Sequence, residues 1–351
     1  MGAGKDLAIS LSPSPSATFA TAEPASVVAP RIDRIDGIDL MRLVAFAGVV
    51  LIHAVANGSF DHPVAADVIA LCARFAVPFF FIAFGYLLAR RASSATAGRL
   101  LLRLAPPFLF WSLAYVLYFE HSLRGLLSPA AIVRLLITGL DGYHLWFLPA
   151  LGVAGVIFAI VQGRFGWRAV LALGVLFYAL ALAFGPLRLL LGLPRPPFNT
   201  RNGPFFGLLF VTAGAWLRHR DWRPTLPFAL ALWGVTALLQ LAEVALWVRM
   251  GTIEYPRFTD DVVMTIPFGV ASFLVALAMP RDFHLPPLFA HLARLSLGLY
   301  VIHALFLDLA ERWLGQATLL GSLRNAGLAI IASALSVLIL DRWSVTRRLI
   351  R

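Results

Sequence analysis

Residues Gly37 to Asn57 read GIDLMRLVAFAGVVLIHAVAN. Fifteen of these 21 residues are apolar and two are glycine. As a helix rising about 1.5 Å per residue, the stretch reaches across a bilayer. It carries Arg42 near one end and His53 near the other, eleven positions apart. Eleven residues is close to three turns, which puts both side chains on one face, about 16 Å apart along the axis. A spanning helix has no inexpensive place for either group unless that face meets a polar interior, so both are functional candidates. The plainer alternatives are an arginine snorkelling to the headgroups and a histidine that only packs.

The rest of the chain agrees with a membrane setting. It is 60% hydrophobic and 13% charged, against about half and about a quarter in average proteins. A net charge of +11 in so apolar a chain points to cytoplasmic loops and anionic lipid heads rather than to nucleic acid. Lys5 is the only lysine and Cys72 the only cysteine, which excludes an intrachain disulfide and a cysteine-built metal site. There is no Walker loop, no G-x-G-x-x-G after a strand, no HExxH and no G-x-S-x-G elbow. The eight histidines show no metal-ligand spacing.

Composition divides the chain into an N-terminal tail at 1–33, rich in Ser, Ala, Thr and Pro, a membrane domain at 34–341, and a basic tail at 342–351. The first tail lacks the apolar run of a signal peptide and reads as disordered. The expected architecture is all-α and polytopic, with about ten spans near 37–57, 64–88, 100–119, 145–162, 168–185, 199–217, 227–248, 262–279, 295–313 and 323–341. Residues 123–140 read as an interfacial helix, with an eleventh span as the alternative. With both termini in the cytoplasm, 18 Lys and Arg residues fall on the cytoplasmic side and 9 on the other, which favours that orientation.

Four elements in chain order resemble the membrane acyltransferase-3 family. They are Arg42 followed by ten residues and His53, the Phe-rich run Val77 to Tyr86, His144-Leu145-Trp146-Phe147-Leu148, and Ser296-x3-Tyr300-x2-His303. The likeness covers about residues 34 to 341. Phe84 departs from it, standing where the family usually has serine, and Arg99 and Arg103 are spaced by four rather than three. The resemblance implies an integral-membrane O-acyltransferase of a bacterial inner membrane. Its co-substrate is cytoplasmic acyl-CoA (acetyl-CoA), with no tightly bound cofactor and no metal. The acceptor is a hydroxyl of an envelope or exported sugar, glycolipid or polysaccharide.

Roles follow from residue chemistry and that likeness together. A hydroxyl is a poor nucleophile and needs a base that works near neutrality, and histidine is the usual one. His53 is therefore the candidate catalytic base, with Arg42 on the same helix. Guanidinium pairs bind phosphates bidentately and stay charged, so Arg90, Arg91, Arg99, Arg103 and Arg74 are the candidates for holding the CoA. Arg74 falls in mid-membrane, where it either lines a wet cavity, the preferred reading, or pairs with a carboxylate such as Asp39 or Glu243. His144 and Trp146 at the start of the fourth span, Glu243 in the seventh, Ser296, Tyr300 and His303 in the ninth, and Arg201 and Asn202 are the acceptor-side candidates; the last two belong with Arg188, Arg195 and Asn199 to a loop 5–6 able to meet an anionic or sugar-bearing acceptor. Glu254, Asp260 and Asp261 read as solvated. The rival readings are a transporter or flippase of a glycan or lipid-linked sugar, and a lipid-linked glycosyltransferase, for which the Asp260-Asp261 pair is weak support.

Overall fold

Proline and glycine set where this apolar chain turns. In the computed structural model, the described residues are 1–2, 34–58, 60–89, 94–120, 128–138, 144–196 and 199–350. The body Ile35–Arg351 forms one compact unit apart from Met1–Arg34. The expected N-terminal tail lies outside the described residues, as do Arg90 and Arg91.

Thirteen α-helices follow one another, with no strand among the described residues. They are α1 (Asp36–Asn57), α2 (Pro63–Ala73), α3 (Ala76–Leu88), α4 (Ser94–Glu120), α5 (Pro129–Thr138), α6 (Phe147–Phe184) and α7 (Pro204–Arg220), then α8 (Leu226–Arg249), α9 (Thr265–Ala278), α10 (Pro287–Arg294), α11 (Ser296–Leu314), α12 (Leu319–Leu340) and α13 (Ser344–Arg347). Each of the ten stretches expected to span overlaps a helix. Taken singly, six helical segments are long and apolar enough to cross a membrane, or seven if the bent pair α10–α11 counts as one. The shortfall against ten has local causes. Helices α7 and α9 have 17 and 14 residues, α11 is bent 81° from α10, and α6 joins two expected spans in one run. As a straight helix, α6 would be about 57 Å long, nearly twice the hydrocarbon thickness. Gly166, at φ 79° and ψ −174°, breaks it into two membrane lengths. Helix α5 has ten residues, about 15 Å and half a membrane, which fits the interfacial reading; the remainder of 123–140 lies largely outside the described residues.

Helix α1 is the hub. It packs on α2, α3, α9, α10, α11 and α12. Its apolar side carries the buried Ala45, Phe46, Val49 and Val50, and Gly37 lies so close to α9 that a Cβ there would overlap the Ala276 carbonyl. Its far end is held by Arg257, which donates to the carbonyls of Val55 at 3.2 Å, Gly58 at 3.3 Å and Pro63 at 3.1 Å while pairing with Asp67 at 2.7 Å. A cation on terminal carbonyls suits the negative end of the helix dipole. Helix α3 crosses α7 with two glycines back to back, Gly85 against the Val211 carbonyl and Gly214 against the Ile82 carbonyl. Such small-residue crossings let membrane helices approach and gain dispersion contacts.

The span Pro63–Leu88 is broken at Arg74 and Phe75. Pro78 has no N–H to donate to the carbonyl of Arg74, four residues back, and its ring crowds that carbonyl. The backbone keeps helical dihedrals through Arg74 and Phe75, so the interruption is one of hydrogen bonding within a single span. The basic tail at 342–351 is not a free extension. Ile350 is fully buried against Gly298 and Val337, and the Leu349 carbonyl accepts a 3.0 Å hydrogen bond from Trp111 Nε1. An apolar residue among four arginines gives the tail its anchor.

Candidate active site

Three histidines from three helical regions meet in the interior. His53 of α1 stacks on His303 of α11 with ring centroids 5.5 Å apart and planes 28° apart. His144, just before α6, stands edge-on to both, at 4.9 Å from His303 and 6.4 Å from His53. His144 and His303 are fully buried, whereas His53 keeps part of its surface accessible. Backbone carbonyls fix two of the rings. His303 Nδ1 donates to the Tyr300 carbonyl at 2.6 Å, and His144 Nε2 donates to the Val301 carbonyl at 3.2 Å. A donating Nδ1 leaves Nε2 of a neutral His303 as an acceptor, and that atom has no protein partner. Among the described residues no group of three or more His, Cys, Asp or Glu side chains could hold a metal ion.

Tyr300 joins this cluster to a cavity. Its hydroxyl donates to the His144 carbonyl, and its ring lies 5.4 Å from His144 and 5.8 Å from His303. It also lines a cavity of about 250 Å³ with Arg42, Phe84, Arg103, Arg294 and Ser296. The helical stripe Ser296, Tyr300 and His303 therefore runs from cavity to cluster, as positions i, i+4 and i+7 allow. Arg42 is steadied by Asp39 at 3.1 Å. Arg99 is exposed one turn before Arg103. Phe84, the departure from the family pattern, makes this part of the wall apolar.

Two members of the site gave no signal in the sequence. Arg294 ends α10, and the 81° bend into α11 brings it to the same cavity as Ser296; in sequence it is only one more loop arginine. Tyr115 of α4 donates to the Val301 carbonyl at 2.9 Å, accepts from the Leu305 amide at 3.2 Å, and sets its ring 5.0 Å from His144. A lone tyrosine in an apolar span carries no mark of that role.

Beyond His53 the charges are arranged differently from expectation. Arg74 pairs with a carboxylate, the alternative to the preferred wet cavity, but the partner is neither Asp39 nor Glu243. It forms an ion pair with Asp260 and donates to the Arg257 carbonyl, both in the loop before α9. Asp260 takes Arg201 on its other oxygen at 3.0 Å, and the Arg201 guanidinium lies 5.1 Å over the Trp146 ring. Asn202 is buried beside Arg201. Glu243 is not a cation partner: its two oxygens accept from the amides of Val263 at 2.9 Å and Met264 at 2.7 Å, capping the start of α9. Asp260 and Asp261 are not solvated, since their loop folds inward onto Arg74. Burial works against the charged form of Asp260, but Arg74 and Arg201 overcome it and hold the carboxyl below its ordinary range. Asp261 is pushed up to about 7, first by burial and then by the neighbouring charge of Asp260.

The family model for an acyltransferase domain, Acyl_transf_3, matches residues 35–341, nearly the whole helical body. The chain belongs to the acyltransferase-3 family. Its residues 35–341 thus carry the acyltransferase-3 domain that the four sequence elements suggested, and the cavity and histidine cluster gather residues from all four. Over 162 residues it is 32% identical to an amino-acid racemase of Enterococcus faecalis, covering 42% of this chain and 22% of that one. Over 290 residues it is 27% identical to a serine/alanine racemase of Enterococcus gallinarum, covering 76% of this chain and 40% of that one. The acyltransferase-3 chain thus spans less than half the length of these relatives. No solved structure matches it.

Proposed function

We propose that this acyltransferase moves an acyl group, acetyl in the simplest case, from cytoplasmic acyl-CoA to a hydroxyl of an envelope or exported sugar. The observation that carries the reading is the continuity from the arginine-lined cavity through Tyr300 to His53, His144 and His303. Arg42, Arg103 and Arg294 suit the phosphates of CoA, which fixed cations bind by charge-assisted hydrogen bonds. The apolar wall at Phe84 suits the pantetheine arm. His53 takes the proton of the acceptor hydroxyl as its oxygen bonds to the acyl carbon. The carbon–sulfur bond then breaks, and the CoA thiolate takes that proton from His53. The thioester supplies the activated acyl group, so the step needs no further energy source.

The racemase names of the relatives do not carry over. Residues 35–341 hold no lysine with which to form a Schiff base. The direct test is transfer or hydrolysis of labelled acetyl from acetyl-CoA by purified protein, joined to mass spectrometry of envelope glycans after gene deletion. Loss of an acetyl-sized mass increment supports the reading, and unchanged glycans together with an inert purified protein reject it.

Two expectations belong to this reading. Arg103→Ala and Arg294→Ala each weaken acyl-CoA binding by about 1.5–3 kcal/mol, the usual cost of one charge-assisted contact. The loss falls on the apparent donor KM and shrinks at saturating acyl-CoA. Collapsed turnover at saturating donor with unchanged KM would show that these arginines are not the phosphate clamp. The second expectation is topological and rests on the arginine distribution. With Cys72 replaced by Ser, a cysteine at Arg99 is shielded from impermeant maleimide in intact cells, and one at Asn199 is labelled. External labelling at position 99 would place the donor arginines on the wrong side for cytoplasmic CoA.

A further inference from the structure

Next to the Asp260 ion pairs lies a second cavity, of about 290 Å³, that the transfer chemistry leaves unused. Asn199, Glu254, Tyr255, Thr259, Asp260 and Asp261 line it. Asp260 is engaged by Arg74 and Arg201. Asp261 differs: it is 6% exposed, faces this cavity, and its Oδ2 has no hydrogen-bond partner in the protein. Gly185 packs directly on that oxygen, and a Cβ there would stand 3.1 Å from it.

A buried carboxylate oxygen without a partner is costly unless a ligand supplies a donor. Of the other polar groups of the wall, Glu254 adds a second carboxylate, Thr259 carries a hydroxyl that both donates and accepts, and Asn199 offers its amide NH2, its oxygen accepting from the Arg201 amide at 3.1 Å. Tyr255 and Phe258 give the rim aromatic faces. No arginine lines the cavity among the described residues. Of the loop arginines that suggested an anionic acceptor, Arg201 is engaged by Asp260 and Trp146 and Arg188 by the Leu193 carbonyl at 3.4 Å, while Arg195 is exposed and does not line this cavity.

From this we infer that the cavity is the acceptor pocket, and that it takes a neutral or amine-bearing sugar through donor groups directed at Asp261 and Glu254, while excluding sugars that carry a carboxylate or phosphate. The inference rests on the acyltransferase reading and narrows it to a class of acceptor. The link to the transfer site is Asp260, which lines the pocket and holds Arg74 and, through Arg201, the Trp146 ring of the His144-Leu145-Trp146 element. Asp261 is then a binding residue, and the proton transfer stays with His53.

The test is direct binding, by saturation-transfer NMR, of three probes to the full-length protein in detergent: methyl glucoside, methyl glucosaminide and methyl glucuronide. The first two bind, the amino sugar more tightly, and the glucuronide binds at least about tenfold more weakly. Asp261→Asn removes the preference for the amino sugar. Glu254→Gln, at the exposed rim, reduces that preference and serves as the second variant should Asp261→Asn fold poorly. Glucuronide binding equal to that of the glucoside overturns the inference, and so does an amino-sugar preference unchanged in both variants. Acyl-CoA turnover measured on the same sample separates the two readings. Probe binding without turnover supports the pocket and rejects the acyltransferase mechanism, and turnover without probe binding does the reverse.

Discussion

His53→Gln lowers acyl transfer by about 10²–10⁴-fold, the usual contribution of a general base, in a protein that still folds and still binds acyl-CoA. Glutamine keeps some hydrogen bonding and much of the volume of histidine but cannot accept the hydroxyl proton. The position supports so large an effect. His53 lies on the hub helix, stacks at 5.5 Å on a buried His303, and is the member of the cluster that keeps accessible surface. His144 and His303 are each tied to a backbone carbonyl through one ring nitrogen, which orients them as supports. Their glutamine variants should therefore lose less than His53→Gln. A base acts only when neutral, so wild-type transfer falls on acidification, and the residual activity of His53→Gln should lack that acid limb. A His53 that merely packs predicts near-normal transfer in the glutamine variant, and steady-state kinetics with labelled acetyl-CoA separates the two outcomes.

The cluster around His53 was legible in the sequence because its members sit in short local patterns. Arg42 and His53 share a helix face by spacing alone, and Ser296, Tyr300 and His303 share another. That these stripes face each other follows from α1 packing on α11, which periodicity within one helix cannot report. The missed residues share a property: their role is made by a distortion or by a distant segment. Arg294 reaches the cavity through the bend at Leu295. Asp260 meets Arg74 across 186 positions, where nothing local marks an acid pair in a loop as buried. Fold class came from apolar length and composition, whereas span count is blurred wherever helices are short, broken or fused, as at α9, α3 and α6.

Asp260→Ala should destabilise the fold more than any other surface-loop substitution, by about 3–5 kcal/mol, the usual cost of removing one partner of a buried ion pair. That is a large fraction of the about 5–15 kcal/mol that holds a typical domain together. Arg74 has a side chain 9% exposed, and its other hydrogen bond goes to the neutral carbonyl of Arg257. Without Asp260 its charge loses its ion-pair partner in a buried setting, with only the more distant carboxyl of Asp261 left to offset it. Arg201 suffers less, being 32% exposed with the Trp146 face beside it. Asp260→Asn should cost less than Ala, since its amide oxygen still accepts from one guanidinium. The pair as a whole is a different matter, because desolvating two ions offsets much of their attraction. Arg74→Met/Asp260→Met should therefore be more stable than Asp260→Ala alone. Thermal unfolding in detergent, followed by tryptophan fluorescence, reads the order wild type, double variant, Asp260→Ala. Wild-type stability in Asp260→Ala would mean that water already reaches Arg74, and the wet cavity would then be the correct account of this arginine.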